Sequence, residues 1–442
     1  MKIILSIYIL FISNVSLCQI WTIDKTFNHN QLMFFDVHAL DSNSALISGI
    51  TRNQPPNIGK IYYRNSQGKY KMLPDHQIAN EIGYHLIYAF DSSNILVSAH
   101  RIVYQTTNMG VTWDSVLGDN YGSCVDILFS SENENIGKIL FDANGGKIDW
   151  KLFRTYNKGL NWSRTSVYLG SEYRSIWRTS CFTDSNDFYI ASGNQSIMSG
   201  KMTYSLDAEN WWDESFIPLP VFYINKIAFK NDKNTGLALG RNSTHTIFFR
   251  TTNHGISWNA MIYDPSVCWD IKWIDGTDIV YVLLENKIIK STDAGLTWNI
   301  ILTADLASRY FYSFDFKKIN NKIYGWLIAP GSGIRIMKMV DSITTSNISN
   351  ISSVVPEGYE LKQNYPNPFN PETNIEFSLP KNGNVELLIY DINGKEILKI
   401  SEYKTAGKYN YSFNAKNLPS GIYFYTLSSE NFRDSKKMIL LK

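Results

Sequence analysis

The octet Ser291-Thr292-Asp293-Ala294-Gly295-Leu296-Thr297-Trp298 decides the fold, because it recurs along the chain. Its order is a hydroxyl residue, any residue, Asp or Asn, any residue, Gly, any residue, a polar residue and Trp. Three more copies are Thr106–Trp113, Thr155–Trp162 and Thr251–Trp258. Weaker copies are Ser205–Trp211 and Arg64–Lys71. A turn pattern that returns at a regular distance predicts a repeat architecture.

The spacing of the octets indicates the type of repeat. Their glycines stand at 68, 110, 159, 255 and 295, so the gaps are 42, 49, 96 and 40 residues, and 96 corresponds to two repeats. Repeats of about 40 to 50 residues that contain several strands are typical of propeller blades. Seven apolar stretches start such units: Phe34–Leu40, Leu86–Phe90, Val125–Phe129, Ser175–Phe182, Tyr223–Phe229, Trp269–Ile274 and Phe311–Phe316. The sequence therefore predicts an all-β fold with a seven-bladed β-propeller over residues 19–340.

Turn chemistry accounts for the residue types of the octet. Gly supplies a positive φ, the Asp or Asn side chain bonds nearby backbone amides, and the Trp ring packs over the hairpin. We therefore interpret the octet residues as structural and not as ligands or catalysts. They are Asn108, Gly110, Trp113, Asn157, Gly159, Trp162, Asp207, Asn253, Gly255, Trp258, Asp293, Gly295 and Trp298.

The seventh unit lacks an outer strand after residues 322–329 and 333–340. At the other end of the chain, Ile20–Asp24 resembles an outer strand without a blade. We expect this N-terminal strand to complete the last blade, because pairing it there removes two open sheet edges.

The first residues indicate export. Lys2 precedes the apolar run Ile3–Ile12, and Ser16 and Cys18 occupy the small-residue positions of a cleavage site. Residues 1–18 therefore predict a secretory signal peptide; acylation of Cys18 is a weaker alternative, because Leu17 is bulky. No later run reaches the roughly 18 apolar residues of a membrane span.

The net charge bears on the possible partners, and the cysteine positions bear on disulfide pairing. A formal net charge of +2 gives no reason to expect nucleic acid as a partner. Cys124 and Cys268 hold equivalent places in distant repeats, and a disulfide needs Cα atoms within about 7 Å. We therefore expect three buried free thiols, with Cys181 as the third. We also expect the protein to be a monomer.

The end of the chain has a different composition. Residues 341–358 are small, polar and aperiodic, which predicts a linker. Five short alternating strands separated by tight turns then predict a small Ig-like β-sandwich over residues 359–442. The strands are Thr373–Ser378, Val385–Tyr390, Lys408–Phe413, Gly421–Ser428 and Lys436–Leu441.

Four motifs in this region occur in order: Asn364–Pro371, Ile389–Glu396, Leu418–Tyr423 and Lys436–Lys442. With them, residues 359–442 resemble the type A C-terminal sorting domain of the type IX secretion system. The resemblance implies passage across a Gram-negative outer membrane, removal of the domain, and release or attachment at the cell surface. A carbohydrate-binding sandwich is the alternative interpretation. The secretion machinery is therefore the expected partner of this domain.

The octets resemble the Asp-box, or bacterial neuraminidase repeat, and the units over residues 30–340 are similar to photosystem II assembly factor-like propellers. Sortilin-type domains and xyloglucan hydrolases carry the same box. This resemblance implies the fold and not an activity, because such propellers host unrelated functions.

Motifs for nucleophilic or metal chemistry are missing from the sequence: it contains no Gly-x-Ser-x-Gly, His-Glu-x-x-His or Cys-x-x-Cys. We expect no cofactor and no metal, and we interpret the seven histidines as surface or turn residues. The remaining candidates are carboxylates on the first strands of the units, namely Asp36, Asp126, Asp270 and Asp315. They could form a pair that cleaves glycosides, or they could bond backbone and channel water.

A second candidate patch enters the fourth unit with Arg174, Trp177 and Arg178, which would suit a sugar or an acidic ligand. The alternative interpretation is that these residues are an ordinary polar start of a surface strand, which requires no function. The sequence therefore favours a secreted or surface-displayed binding or adhesion module without catalysis, with a glycan or protein ligand at the propeller mouth. An exported glycoside hydrolase that uses the inner-strand aspartates is the alternative, as is an assembly factor of the cell envelope.

Overall fold

All regular structure in the described residues is β-strand. The computed structural model describes residues 21–28, 32–51, 58–74, 85–118, 122–142, 149–168, 180–182, 187–194, 199–205, 213–215, 217, 221–304, 311–329, 333–343, 348–352, 355–416, 418–430 and 432–442. The chain falls into two compact units, residues 1–290 with 299–342, and residues 343–442 with 291–298.

The first unit is a seven-bladed β-propeller. Strand β1 (Thr22–Phe27) precedes the blades. Blade 1 contains β2 (Leu32–Ala39), β3 (Ala45–Thr51), β4 (Gly59–Arg64) and β5 (Tyr70–Met72). Blade 2 contains β6 (Leu86–Ala89), β7 (Ile95–Ala99), β8 (Ile102–Thr106) and β9 (Asp114–Gly118). Blade 3 contains β10 (Cys124–Phe129), β11 (Gly137–Phe141), β12 (Asp149–Thr155) and β13 (Ser163–Tyr168).

Blades 4 to 7 are built from strands in the same chain order. Blade 4 contains β14 (Ser180–Cys181), β15 (Phe188–Asn194), β16 (Ser199–Ser205) and β17 (Asp213–Glu214). Blade 5 contains β18 (Tyr223–Phe229), β19 (Gly236–Arg241), β20 (Thr246–Thr251) and β21 (Asn259–Asp264). Blade 6 contains β22 (Cys268–Trp273), β23 (Val280–Leu284), β24 (Lys287–Ser291) and β25 (Asn299–Thr303). Blade 7 contains β26 (Ser313–Ile319), β27 (Lys322–Ala329) and β28 (Ile334–Ser342).

Each blade is an antiparallel meander, and the hydrophobic cores lie between neighbouring blades. Leu46 and Ile61 of blade 1, for example, share one buried cluster with Val97 and Trp113 of blade 2. This arrangement follows from the sequence, because β3, β7, β11, β19 and β23 are buried on both faces and are almost wholly apolar or small. The innermost strands β2, β6, β10, β14, β18, β22 and β26 surround a central channel.

Blade 7 takes its fourth strand from the N-terminus. Strand β1 pairs antiparallel with β28 from Thr22↔Lys338 to Phe27↔Ile334, as the unpaired N-terminal strand predicts. Asp24 of β1 also accepts hydrogen bonds from Arg64 Nη2 at 2.6 Å and Tyr70 Oη at 2.7 Å, both in blade 1. The first described segment is therefore bonded to the last blade and the first blade together.

The second unit is a β-sandwich of two four-stranded antiparallel sheets. One sheet has the order β29-β34-β31-β30, with β29 (Ile348–Ser352), β30 (Glu360–Leu361), β31 (Glu372–Leu379) and β34 (Gly407–Asn414). The other has the order β33-β32-β35-β36, with β32 (Gly383–Asp391), β33 (Glu396–Lys404), β35 (Gly421–Ser429) and β36 (Phe432–Leu440). Ile375, Leu387, Tyr425 and Leu440 are among the residues of the core between the sheets.

The region 341–358 differs from the predicted linker. Asp341 and Ser342 belong to β28, and Ile348–Ser352 forms β29, which pairs with β34. The small polar residues of this segment gave no apolar periodicity. They form a strand because the edge of β34 offers backbone donors and acceptors.

Two further properties concern the chain as a whole. In the described parts, no helix is long and apolar enough to cross a membrane. Cys124, Cys181 and Cys268 are free thiols, and desolvation by the surrounding protein raises the pKa of each. Cys124 and Cys268 are buried, whereas the expectation of a buried Cys181 was wrong, because this residue lines the channel and is partly exposed.

Candidate functional site

The four complete octets, which begin at Thr106, Thr155, Thr251 and Ser291, share one hydrogen-bonding scheme. Thr106 Oγ1 accepts a bond from the Gly110 amide at 2.9 Å, and Asn108 Oδ1 accepts one from the Thr112 amide at 2.9 Å. Thr106 Oγ1 also donates to Asn108 Oδ1 at 2.9 Å. The octets that begin at Thr155, Thr251 and Ser291 repeat these three bonds. The Asp or Asn side chain is therefore used within its own turn.

Two successive residues in each of these four turns have a left-handed backbone. Met109 and Gly110 have φ of 56° and 77°, and the same pair recurs as Lys158–Gly159, His254–Gly255 and Ala294–Gly295. A Cβ on Gly110 would lie 3.3 Å from the Trp113 ring, so the ring rests directly on the glycine. Sequence reasoning identified the glycine but missed the residue before it, because that position varies in type.

The channel of the propeller contains a cavity of 290 Å³ to which all seven blades contribute. Asp126, Asp270 and Asp315 line it, together with Lys226 and Lys272. The repeat alignment offers a signal for Lys226, which holds the place in its unit that Asp126 and Asp270 hold in theirs. Each of the three follows a β-bulge in the structure. A bulge redirects the residue beside it, here at the channel.

Three of the predicted aspartates bond to the inner strand of the next blade. Asp36 Oδ2 accepts a bond from the Ile87 amide at 3.0 Å, and Asp126 Oδ2 accepts one from the Ser180 amide at 3.0 Å. Asp315 Oδ2 accepts one from the Ala39 amide at 2.9 Å, across the junction between the last and first blades. These carboxylates connect blades 1 to 2, 3 to 4 and 7 to 1.

The remaining aspartate has a cationic partner. Asp270 Oδ1 lies 3.1 Å from Lys226 Nζ, and both side chains are more than nine-tenths buried. In the same strand as Lys226, Asn225 Nδ2 donates to the Cys268 carbonyl at 3.1 Å. Blade 5 is therefore connected to blade 6 by the side-chain hydrogen bond of Asn225 and by the ion pair between Lys226 and Asp270.

Asp315 is at the centre of a charged cluster. Lys272 Nζ lies 3.1 Å from Oδ1, and His38 Nδ1 lies 3.4 Å from Oδ2. Burial by itself would raise the pKa of Asp315, but Lys272, His38 and the Ala39 amide together hold this pKa below its usual value. Burial lowers the pKa of His38. The interpretation of His38 as a surface or turn residue was wrong, since it lines the channel.

Other predicted residues lie outside the described ranges: Arg174, Trp177, Arg178 and Asp207, together with the signal peptide. Among the described residues, no group of three His, Cys, Asp or Glu side chains is arranged to hold a metal ion.

Comparison with known families identifies the last domain. Residues 363–441 match the family described as "Secretion system C-terminal sorting domain". The C-terminal unit is a sorting domain. The chain is therefore exported by the type IX secretion system, to the cell surface or the medium. Comparison with curated protein sequences finds no match.

Solved structures similar to the chain include propeller proteins. An ancestral GH74 enzyme superposes with a TM-score of 0.54 at 12% identity, over 94% of this chain and 63% of that one. The GH74 xyloglucanase from Xanthomonas campestris has a TM-score of 0.46 at 9% identity, over 71% and 60%. The polysaccharide lyase Uly1 has a TM-score of 0.45 at 9% identity, over 72% and 90%. The chain thus spans less than two thirds of the two GH74 proteins, and the likeness concerns the fold.

Proposed function

We propose that this protein is an exported binding or adhesion module, whose propeller presents a ligand site at the channel and performs no catalysis. The observation that carries the proposal is the use of the inner-strand carboxylates. Asp36, Asp126 and Asp315 accept backbone hydrogen bonds from adjacent blades, and Asp270 pairs with Lys226. Carboxylates with these partners stabilise the contacts between adjacent blades.

The alternative is an exported glycoside hydrolase, and one observation favours it: Asp126, Asp270 and Asp315 line the same cavity. Such hydrolysis needs one carboxylic acid whose pKa is raised, so that it can protonate the leaving group. The pKa of Asp315 is lowered instead. The environment of Asp315 therefore supports an ionised structural carboxylate and argues against a general acid at this position.

The cavity has the chemistry of a binding site. Tyr88, Phe182 and Trp273 line it beside Lys272 and Asp126. Aromatic rings next to charged groups suit glycans or polar groups of a protein ligand, because a ring face packs on apolar C–H surface while the charges bond hydroxyl or amide groups. We propose a glycan or protein ligand at this mouth.

The test is to assay the full-length protein on a glycan array and for release of reducing ends from polysaccharides. We expect binding without release. The variants Asp126→Asn and Asp270→Asn should lower the melting temperature, and Asp293→Asn is the matched control, because three other octets carry Asn at that position. Release of reducing ends by the wild type, lost in folded Asp126→Asn or Asp270→Asn but kept in Asp293→Asn, would establish the hydrolase instead.

A further inference from the structure

The outer face of the sheet β33-β32-β35-β36 has two chemically different halves. Antiparallel sheets that cover a core on one face normally present polar residues on the other. One half follows this rule: the outward positions of β32 and β35 there include Glu386 and Ser428, a directly opposed pair. Beside them, Lys399 on β33 forms an exposed ion pair with Glu386 at 2.7 Å.

The other half of this face is apolar. Tyr390 is directly opposite Phe424, and their rings stack at 5.7 Å between centroids. Ile422 is directly opposite Ile439, two positions along the same face. Ile422 is 37% exposed, and the other three are partly exposed. The core lies on the opposite face, where Tyr423, Tyr425 and Met438 are buried. We name Tyr390, Ile422, Phe424 and Ile439 the outer apolar patch.

The patch lies where the four sorting motifs converge. Asp391 of the second motif is paired with Tyr423 of the third, and Gly421 of the third with Leu440 of the fourth. Leu440 forms a bridge to Phe369 of the first motif. Segments up to about 70 residues apart in sequence therefore form one continuous row across the sheet. Packing of the core requires only the inward-facing residues of that row to be apolar, and it places no such requirement on the outward-facing ones.

Each motif also carries one large apolar side chain that is exposed. Tyr365 is 80% exposed, Ile392 66%, Ile422 37% and Leu441 55%. In the described part of residues 343–442, the other large apolar side chain with this degree of exposure is Val355, which precedes the matched segment. On the sheet β33-β32-β35-β36, the exposed Ile422 belongs to the outer apolar patch, and exposed apolar groups of this kind mark an interaction surface.

We infer that the outer apolar patch is the surface through which the sorting domain docks on a protein component of the secretion machinery. The partner is expected to offer an apolar groove with acidic residues at its rim, because Lys437, directly opposite Phe424, and Lys442 are exposed beside the patch. This inference rests on the sorting domain and is independent of the ligand proposed for the propeller.

The experiment uses the full-length chain in a Gram-negative bacterium that has the type IX machinery. The double variant Ile422→Thr/Ile439→Thr removes apolar surface but keeps β-branched residues in the strands. We expect export to fall about tenfold, with periplasmic accumulation, because central apolar contacts carry most of the affinity of an interface. The melting temperature should change by no more than about 3 °C. Val355→Thr is the matched control and should be exported normally.

A competition assay separates docking from folding. Excess wild-type chain should slow the export of a second protein with a sorting domain, and the folded double variant should not. The inference would be overturned by normal export and competition of the double variant, or by an equal loss of export in Val355→Thr. It would also be overturned if the wild type self-associates or binds phospholipid vesicles, and the double variant loses that property but is exported normally. The last result would assign the patch to a second copy of the chain or to lipid.

Discussion

His38 connects the chemistry of the channel to the stability of the ring. Its Nε2 lies 2.9 Å from the Ala89 carbonyl of blade 2, and its Nδ1 lies 3.4 Å from Asp315 Oδ2 of blade 7. Burial lowers the pKa of this imidazole below 6.5, although Asp315 and Asp36 oppose the shift. In the unfolded chain the imidazole takes up a proton more readily, so protonation favours unfolding.

The stability of the propeller should therefore fall as the solution is acidified. The contribution of His38 is fully present above the unfolded value of 6.5 and is lost as the pH falls through the lower pKa of the folded state. Asp315, whose pKa is also lowered, stays ionised in this range and loses its contribution only below 3.8. We expect the melting temperature to fall between about pH 7.5 and 5.5 in the wild type and to fall less in His38→Gln. Equal slopes in the two proteins would contradict this role.

At the scale of residues, the sequence predicted side-chain positions but not their partners. Asp36, Asp126, Asp270 and Asp315 lie on inner strands as the repeat alignment requires. The donor to Asp315 is Ala39, 276 residues away in sequence. A contact of this range depends on closure of the ring, and no local pattern encodes it.

At the scale of elements, β1 determines whether the ring is closed. Its backbone bonds to β28, and Phe27 packs edge-on against Phe34 and Tyr70 of blade 1 at 5.0 and 5.5 Å between centroids. Asp24 adds charged hydrogen bonds to Arg64 and Tyr70. The Arg64 guanidinium also lies 5.0 Å from the centre of the Trp326 ring in blade 7. The junction therefore combines backbone, apolar and ionic contacts.

Removal of the Asp24 carboxylate should weaken this junction. Asp24→Ala removes the carboxylate that accepts bonds from Arg64 Nε and Nη2 and from Tyr70 Oη, at a cost of about 2–3 kcal/mol of unfolding free energy. Denaturant unfolding followed by tryptophan fluorescence measures the change. Glu134→Ala is the control, because its ion pair with Lys158 is exposed on both sides and should contribute less than about 1 kcal/mol. Equal losses in both variants would show that Asp24 does not hold the junction.

Strand periodicity predicted most elements of the sandwich but not all. Strands β31, β32, β34, β35 and β36 were expected within a few residues of their bounds, because their apolar residues alternate. Strand β33 was missed, since Glu396, Lys399 and Glu402 interrupt its apolar residues. The bulges before Asp36, Asp126 and Asp270 were also missed, because a bulge is a property of pairing with the neighbouring strand.

At the scale of the molecule, the two units have separate hydrophobic cores. The propeller buries its apolar residues between blades, and the sandwich buries Ile375, Leu387 and Leu427 between its sheets. The sorting domain directs export. Separate cores predict separate cooperative transitions, because cooperativity depends on shared contacts.

Scanning calorimetry of the full-length protein should therefore show two transitions that respond to different variants. Leu427→Ala deletes a fully buried side chain of the sandwich and should lower one transition by the equivalent of about 3 kcal/mol. Gly110→Ala forces a Cβ onto a residue with φ of 77°, 3.3 Å from Leu73 Cβ, and should lower only the other transition, by about 1–2 kcal/mol. A single transition lowered by both variants would mean that the units unfold as one. Selective shifts would mean that the stability of the ring does not depend on the sandwich, because the described contacts that close the ring lie within residues 22–338.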